Sequence, residues 1–219
     1  MKRYKLPTID KKYETVILAN GDFPTHAIPL HILNNAEYVV CCDGAINNLS
    51  KTHIIPNAIV GDCDSLSEEN NQRFADIIHR IGEQETNDLT KAVHFCIQQG
   101  RKDITILGAT GKREDHTIGN ISLLCDYMKD VEVKMVTDYG VFNAIEKPSV
   151  FESIKGQQVS LFCIEQSPVN SRNLVYPLKD HTLTNWWQGT LNEAMSDEFT
   201  IETYGKTIVY RLFDLKKKK

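Results

Sequence analysis

The stretch IVGDCDSL, residues 59–66, joins an apolar segment to two acidic residues. The apolar run ends at Gly61, and Asp62 and Asp64 follow it directly. Two carboxylates this close repel each other and raise each other's pKa unless a cation lies between them. The stretch therefore predicts a buried strand that ends at an acidic, cation-binding site.

Similar apolar runs occur through the first two thirds of the chain and predict the strands of one sheet. Their bounds are residues 14–19, 37–42, 57–62, 103–108 and 131–136. They are nearly continuous in Val, Ile and Leu, as in strands buried on both faces. Helix-like segments at 87–100 and 115–130 lie between them; Asn87 can cap the first and Gly100 can end it. This alternation predicts a Rossmann-like α/β fold with a mostly parallel sheet flanked by helices.

From about residue 148 the pattern changes to short alternating runs that are typical of antiparallel strands. These are residues 149–154, 157–164, 172–178, 182–187, 199–204 and 206–213. YGK at 204–206 predicts a hairpin turn between the last two. The pattern favours a C-terminal antiparallel β-sandwich or barrel, with NAIEKPS at 143–149 as the joint. The predicted domains are therefore residues 1–145 and 146–219.

Composition excludes several classes of partner. The net charge of -4 provides no basic field for nucleic acid. No apolar run approaches the roughly 20 residues that cross a bilayer, and the basic N-terminus lacks the apolar core of a secretory signal. The six cysteines form no C-x-x-C pair, which argues against a zinc site or a disulfide framework. We expect a cytoplasmic protein with reduced thiols, no nucleic-acid or membrane partner, and a solvated KKKK tail at 216–219.

Polar residues cluster where the predicted N-terminal strands end. Asn20 follows the first strand, Asp43 and Gly44 follow the second, and Asp62 and Asp64 follow the third. Ligands of open α/β sheets bind outside the carboxyl ends of the strands, so these groups should converge. Carboxylates together with substrate phosphates suit Mg²⁺, and Asp88 could join them. The alternative is that Asp64 or Ser65 merely caps the following helix.

The segment LGATGKREDH, residues 107–116, resembles a phosphate loop without the Walker A spacing. Gly108 and Gly111 would let backbone N–H groups approach an anion, and Arg113 offers a planar fork suited to phosphate. Asp115 could orient Arg113, cap the helix or bind metal. Lys91, one turn beyond the predicted cap, could reach a phosphate or could simply lie on the surface.

Taken together, these segments resemble the thiamine pyrophosphokinase family. The resemblance is carried by CDGAINNL (42–49), IPNAIVGDCDSL (55–66), QETNDLTKAV (84–93), ILGATGKREDHTIGNISLL (106–124) and YPLKDHTLTNWWQGTLNEAMSDEF (176–199). The chain departs from the family pattern at Ala45, Glu85, Asn87, Lys112 and Asp197. None of these departures removes a predicted metal carboxylate, and Asp197 lies in the segment that resembles the family's thiamine-binding segment.

The resemblance implies transfer of a pyrophosphoryl group from ATP to the hydroxyl of thiamine, with Mg²⁺ as cofactor and AMP as the second product. It implies a catalytic set of four carboxylates, Asp43, Asp62, Asp64 and Asp88. Three of them, Asp62, Asp64 and Asp88, would hold Mg²⁺. The implied nucleotide site comprises Asn20, Asp43, Gly44, Gly61, Asp62, Lys91, Gly108, Arg113 and Asp115.

The same resemblance places thiamine on the C-terminal domain, near Ser196 and Asp197, with Trp187, Trp186 or Tyr176 available to stack on it. If residues 182–187 form a strand, the adjacent Trp186 and Trp187 face opposite ways, and at most one lines a pocket. The family implies a homodimer with active sites at the subunit interface.

Two other functions fit parts of the sequence. A Mg²⁺-dependent phosphohydrolase would need only the acidic cluster. A non-catalytic nucleotide or thiamine sensor would keep the fold but would be favoured only if a metal aspartate had been lost. The products formed from ATP, with and without thiamine, distinguish these two hypotheses from pyrophosphoryl transfer to thiamine.

Overall fold

The structure, a computed structural model, describes residues 1–215, so the predicted lysine tail at 216–219 lies outside the described residues. The chain divides into two compact units. The first unit comprises Ile9–Leu123 and Lys129–Asp138. The second unit comprises Met1–Thr8, Leu124–Met128 and the chain from Tyr139 onward. The division into functional domains after residue 145 stays a prediction. In the structure, the strand Gly140–Ile145 belongs to the second unit.

The first unit is built on a run of hydrogen-bonded strands whose neighbours all pair in parallel. In spatial order they are Glu132–Val136, Asp103–Leu107, Tyr13–Leu18, Ala36–Cys42, Ala58–Gly61 and Ile78–Arg80. The central strands are fully buried from Val16 to Leu18 and from Val39 to Cys42, which explains their continuous apolar sequence. The strands predicted in the first two thirds of the chain are present, and their ends lie within one or two residues of the predicted bounds.

Helices connect these strands. They span Ala27–Asn34, Ile46–Leu49, Glu68–Arg73, Asp88–Gln98 and Glu114–Tyr127, with short 3₁₀ turns at Asp43–Ala45 and Ala75–Ile77. The Asn87 side chain caps the fourth helix by accepting from the backbone N–H of Thr90 at 2.9 Å, as predicted. The third helix begins later than expected. Its cap is Ser67, which accepts from Asn70 N at 3.2 Å, so neither Asp64 nor Ser65 caps it.

The second unit is a strand-rich structure in two layers. One layer contains, in spatial order, Lys2–Tyr4, Ser149–Glu152, Glu198–Glu202, Pro168–Arg172 and His181–Thr182. The other contains Asn192–Glu193, Gln158–Cys163, Thr207–Leu212 and Gly140–Ile145. A core that includes Phe151, Phe199, Leu161 and Val209 is shared by residues of both layers.

Three local expectations for this unit are wrong. YGK is not a hairpin turn, because Glu198–Glu202 pairs with Ser149–Glu152 while Thr207–Leu212 pairs with Gly140–Ile145. The segment therefore carries the chain from one layer to the other. Residues 172–178 are mostly irregular, and residues 186–189 form a 3₁₀ turn rather than the end of a strand. Alternation of apolar residues identifies a half-buried strand but does not say which strand pairs with it.

The expected α/β class, with sheets, helices and a strand-rich C-terminal part, is confirmed. The finer Rossmann-like description stays a prediction. None of the helices in residues 1–215 is long and apolar enough to cross a membrane.

Candidate active site

A cleft of about 450 Å³ lies within the first unit, beside the ends of the parallel strands. Several predicted nucleotide and metal residues line it, namely Asn20, Asp43, Asp62, Asp88, Lys91 and Arg113. Gly44 and Gly61 are buried next to these residues, while Asp64 and Asp115 are exposed and lie outside the lining. Asn20, Asp43 and Asp62 come together because each closely follows a strand of the same parallel run, and Asp88 and Lys91 join them from the helix Asp88–Gln98.

Asp43 is the most enclosed carboxylate of the cleft, with 2% of its surface exposed. It accepts hydrogen bonds from the backbone N–H groups of Gly44 and Ser65. Burial, followed by the nearby charge of Asp88, raises the pKa of Asp43 above its usual value. Burial and the charge of Asp88 therefore both disfavour the ionised form of Asp43, which a nearby cation would stabilise.

Gly61 allows two of the carboxylates to approach each other. A Cβ atom at this position would lie 3.0 Å from Cβ of Asp43 and 3.3 Å from Oδ1 of Asp88. These distances are at the lower limit of real Cβ contacts, so any larger residue would push a carboxylate aside. Gly61 ends the strand Ala58–Gly61, which is why the motif needs a glycine between strand and acidic turn.

Asp62 differs from Asp43 in its surroundings. Its Oδ1 accepts from the backbone N–H of Asp64 at 3.1 Å, and this hydrogen bond is the main reason that its pKa is lowered. Gln84 Nε2 lies 3.5 Å from the other oxygen. Asp62 is therefore held ionised, and the backbone of Asp64 helps to orient it. The side chain of Asp64 is itself exposed outside the cleft lining.

Lys91 lies in the helix that begins at Asp88. Its Nζ is 3.3 Å from Oδ1 of Asp88, and only 3% of the lysine side chain is exposed. The expectation that Lys91 could reach the ligand site agrees with its place in the cleft lining, and the surface alternative is wrong. The helix cap at Asn87 determines where this turn starts and thus where both side chains point.

The loop between Gly108 and Arg113 forms the other wall of the cleft. Gly108 and Gly111 have φ angles of 63° and 77°, which glycine adopts readily. The loop is hydrogen-bonded to the segment that follows the strand Tyr13–Leu18, where the backbone N–H of Gly21 donates to the carbonyl of Gly108 at 2.6 Å. Arg113 pairs with Asp115, with Nη2 2.6 Å from Oδ2, and both side chains are exposed. Asp115 orients Arg113, which was one of the alternatives left open by the sequence.

The sequence alone assigned no role to several residues that line the cleft. Among those that line it are Gln84, Lys112, His116 and Asn120. Asn120 donates to the carbonyl of Ala109 at 2.9 Å and accepts from Asn87 at 3.1 Å, so it ties the loop to the neighbouring helix cap. These residues all lie inside the motifs that resemble the family, which is the feature of the sequence that could have identified them. The motifs alone do not show which of their residues face the cleft.

The predicted thiamine residues lie in the second unit. A cavity of about 350 Å³ is lined by Tyr176 but not by Trp187, Ser196 or Asp197. Tyr176 and Trp187 are 67% and 70% exposed. Ser196 Oγ donates to the Glu198 carbonyl at 2.8 Å. The two tryptophans lie on a 3₁₀ turn, so the expectation that they point to opposite faces of a strand is wrong. Trp186 packs edge-on against Phe162, with ring centroids 6.2 Å apart.

The donor set of the cleft suits a magnesium ion bound together with phosphate. Within residues 1–215, no three His, Cys, Asp or Glu side chains are arranged to enclose a metal by themselves. Mg²⁺ does not require such a cage, because it keeps several waters and takes further oxygens from substrate phosphates. Burial and the nearby charge of Asp88 both raise the pKa of Asp43, and a cation bound beside these carboxylates would offset that effect.

Two family models match the chain. The one described as thiamin pyrophosphokinase, catalytic domain, matches residues 30–136, and the one described as thiamin pyrophosphokinase, substrate-binding domain, matches residues 140–210. The chain belongs to the thiamin pyrophosphokinase family. The resemblance inferred from the sequence motifs is thereby confirmed at the level of the family.

Relatives in this family differ in how much of their length is matched. Thiamin pyrophosphokinase 1 of Caenorhabditis elegans is 30% identical over 117 residues, which is 49% of this chain and 48% of that protein. Thiamine pyrophosphokinase 2 of Oryza sativa subsp. japonica is 27% identical over 182 residues, which is 69% of this chain and 67% of that protein. The match thus spans about half of the first relative and about two thirds of the second.

Solved structures of the family share the fold. Thiamin pyrophosphokinase from Candida albicans superimposes with a TM-score of 0.79 over 97% of this chain and 93% of that chain, at 18% identity. The enzyme of the same name from Bacillus subtilis gives a TM-score of 0.76 over 92% of this chain and 100% of that chain, at 21% identity. At these identities the likeness supports the fold alone.

Proposed function

We propose that this protein is a thiamine diphosphokinase, which transfers a pyrophosphoryl group from ATP to the hydroxyl of thiamine. The hydroxyl oxygen would attack the β-phosphorus, and the bond from that phosphorus to the α-phosphate oxygen would break. The products are AMP and thiamine diphosphate. The observation that carries the proposal is the convergence of Asp43, Asp62 and Asp88 on one cleft with a glycine-rich loop, in a chain of this family.

Mg²⁺ would be held by Asp62 and Asp88 together with nucleotide phosphates, and Asp64 belongs to the proposed metal set from the sequence. When bound, the ion neutralises phosphate charge as it develops. Asp43 and Asp88 both lie beside Gly61, and a bound ion would stabilise the ionised form of Asp43, whose pKa is raised by burial and by Asp88. One carboxylate of the cleft would accept the proton of the attacking hydroxyl, which is general base catalysis by a group within hydrogen-bond reach.

The remaining cleft residues would position the nucleotide. Lys91 and Arg113 would bind phosphate oxygens, and Asp115 would hold the Arg113 guanidinium in place. Glycines at the loop and strand ends, with Asn20, would let the backbone approach the nucleotide; these are Gly44, Gly61 and Gly108. Pyrophosphoryl transfer depends mostly on such positioning and charge stabilisation. A Rossmann-like description of the first unit belongs with this part of the proposal.

Thiamine would bind to residues of the second unit near Ser196 and Asp197, with Tyr176 or Trp187 stacking on its ring. Both aromatic side chains are exposed, so either is accessible to a ligand, and Tyr176 also lines the cavity of the second unit. The proposal includes a homodimer with active sites at the subunit interface and a cytoplasmic location. It includes no nucleic-acid or membrane partner.

A ³¹P NMR time course with ATP, Mg²⁺ and thiamine tests the reaction. AMP and a new diphosphate ester should appear together, and only when thiamine is present. Formation of ADP or free phosphate would instead indicate an ordinary kinase or a hydrolase. Tight ATP or thiamine binding without turnover would favour a sensor. Asp62→Ala and Asp64→Ala should each lower activity, and unchanged activity in either would remove that residue from the metal site.

A further inference from the structure

Lys112 lies in the glycine-rich loop of the cleft, directly before Arg113. Its φ angle is 55°, a left-handed backbone conformation that side-chain-bearing residues adopt rarely. It directly follows Gly111, which has a φ angle of 77°. The chain therefore keeps a lysine at a point where glycine would be conformationally easier, which calls for a role of the side chain.

The ammonium group of Lys112 is directed to the opposite wall of the cleft. Its Nζ donates to the backbone carbonyl of Asn20 at 2.8 Å and to Oδ1 of the same residue at 3.1 Å. The Asn20 amide is confined from its other side, because a Cβ atom at Gly44 would lie 2.2 Å from its Nδ2. Asn20 thus holds the lysine head group at a defined place beside the cleft.

Lys112 differs in its ion pairing from Lys91 and Arg113, which also line the cleft. Lys91 pairs with Asp88, and Arg113 pairs with Asp115. Lys112 contacts only neutral oxygens of Asn20 and forms no ion pair with a carboxylate in the part of the chain that the structure describes. Its charge is therefore available to an anionic ligand without breaking an existing ion pair.

We propose that Lys112 is an additional phosphate-binding residue of this chain, which contacts the β- and γ-phosphates of the nucleotide and so favours ATP over AMP. The inference rests on the proposed function for its nucleotide. Ammonium groups bind phosphate as compact point charges, and such charge-assisted bonds are stronger than bonds between neutral groups. Asn20 acts as the positioning residue that presents the ammonium group to the ligand.

Calorimetric titration with ATP and with AMP, both in the presence of Mg²⁺, tests the proposal. Lys112→Gln keeps a hydrogen-bond donor but removes the charge, and it should weaken ATP binding about tenfold while AMP binding changes less than about twofold. Lys112→Arg should restore most of the ATP affinity. Lys51→Gln removes the same charge from an exposed site outside the cleft and should change neither affinity.

Thermal unfolding of each variant verifies that it is folded. Unchanged ATP affinity in Lys112→Gln would overturn the proposal, and so would equal weakening of ATP and AMP, which is expected if Lys112 only braces the loop against Asn20. An unaltered protein that binds ATP but forms no thiamine diphosphate contradicts the proposed function alone, because the Lys112 comparison is made on binding. Absence of ATP binding by the unaltered protein would overturn both.

Discussion

Lys91 Nζ lies 3.3 Å from Oδ1 of Asp88, one helical turn earlier, and the lysine is 3% exposed while the aspartate side chain is 38% exposed. A proposed phosphate-binding cation is thus held by a proposed metal-binding carboxylate. The lysine is withdrawn from water, and a buried charge needs a partner to remain stable. The same contact therefore positions two functional groups of the cleft at once.

Replacing Lys91 by Met should lower kcat/KM for ATP by about a hundredfold, because a preorganised charge at the phosphates is removed. The matched control is Lys134→Met. Lys134 is also largely buried and pairs with Asp103 at 2.6 Å, but it lies outside the cleft lining. Steady-state kinetics should show a change of less than about twofold in the control. Similar losses in both variants would mean that Lys91 acts through stability and not at the phosphates.

The convergence of Asp43, Asp62 and Asp88 could be predicted from the sequence because it follows from simple geometry. Asp43 and Asp62 come directly after neighbouring parallel strands, and Asp88 starts a helix whose cap is recognisable at Asn87. Parallel strands place their carboxyl ends at one edge of a sheet, so local patterns suffice. The long apolar runs of these strands were equally clear, since both faces are buried.

Other features depended on contacts that local patterns do not encode. Asp64 has the right spacing for a metal ligand, but its exposed side chain lies outside the cleft lining. Asp62 and Asp64 are distinguished by a backbone hydrogen bond in the turn, which D-x-D spacing does not reveal. Likewise, the tryptophan pair looked like a strand end, whereas Asn185 and Gln188 form a reciprocal capping box that closes a 3₁₀ turn there.

We predict that Asp43 gives the stability of the folded protein an unusual dependence on pH. Because its pKa is raised in the folded protein, the folded state binds this proton more tightly than the unfolded chain. The stability that it contributes is present at low pH and is lost as the pH rises from about 4 through the raised pKa. Asp43→Asn removes this loss, so the variant should be more stable than the unaltered protein at about pH 7, yet inactive.

Urea unfolding between about pH 4 and about pH 8, in the presence of a chelator, measures the effect. Asp62→Asn is the control of opposite sign, because the pKa of Asp62 is lowered and its contribution is lost as the pH falls. Parallel pH profiles for the unaltered protein and Asp43→Asn would contradict the assignment. In a second series without the chelator, adding Mg²⁺ with ATP should reduce the difference between them, since a bound cation stabilises the ionised form.

Gly61→Ala should disturb the carboxylates with little effect elsewhere. The added methyl would meet Asp43 at 3.0 Å and Asp88 at 3.3 Å, so one of them must shift. We expect a loss of activity of at least about tenfold, because misplacement of catalytic groups by a fraction of an ångström is costly. Gly119→Ala is the control, since a Cβ there meets nothing within 4 Å and the position is helical. That control should keep its activity and gain about 0.5 kcal/mol of stability.

Arg211 should be the most costly side chain to replace in the second unit. It is fully buried, and its guanidinium donates to the carbonyls of Tyr4, Lys5 and Glu152 and to Oδ1 of Asn143. Arg211→Met would leave these oxygens without their donor, and we expect the free energy of unfolding to fall by about 3 kcal/mol. Arg172→Gln breaks an ion pair with Glu202 at a side chain that is 75% exposed, so urea unfolding should show a change below about 1 kcal/mol. An equally small effect of both substitutions would show that Arg211 does not hold the N-terminal residues to the rest of the second unit.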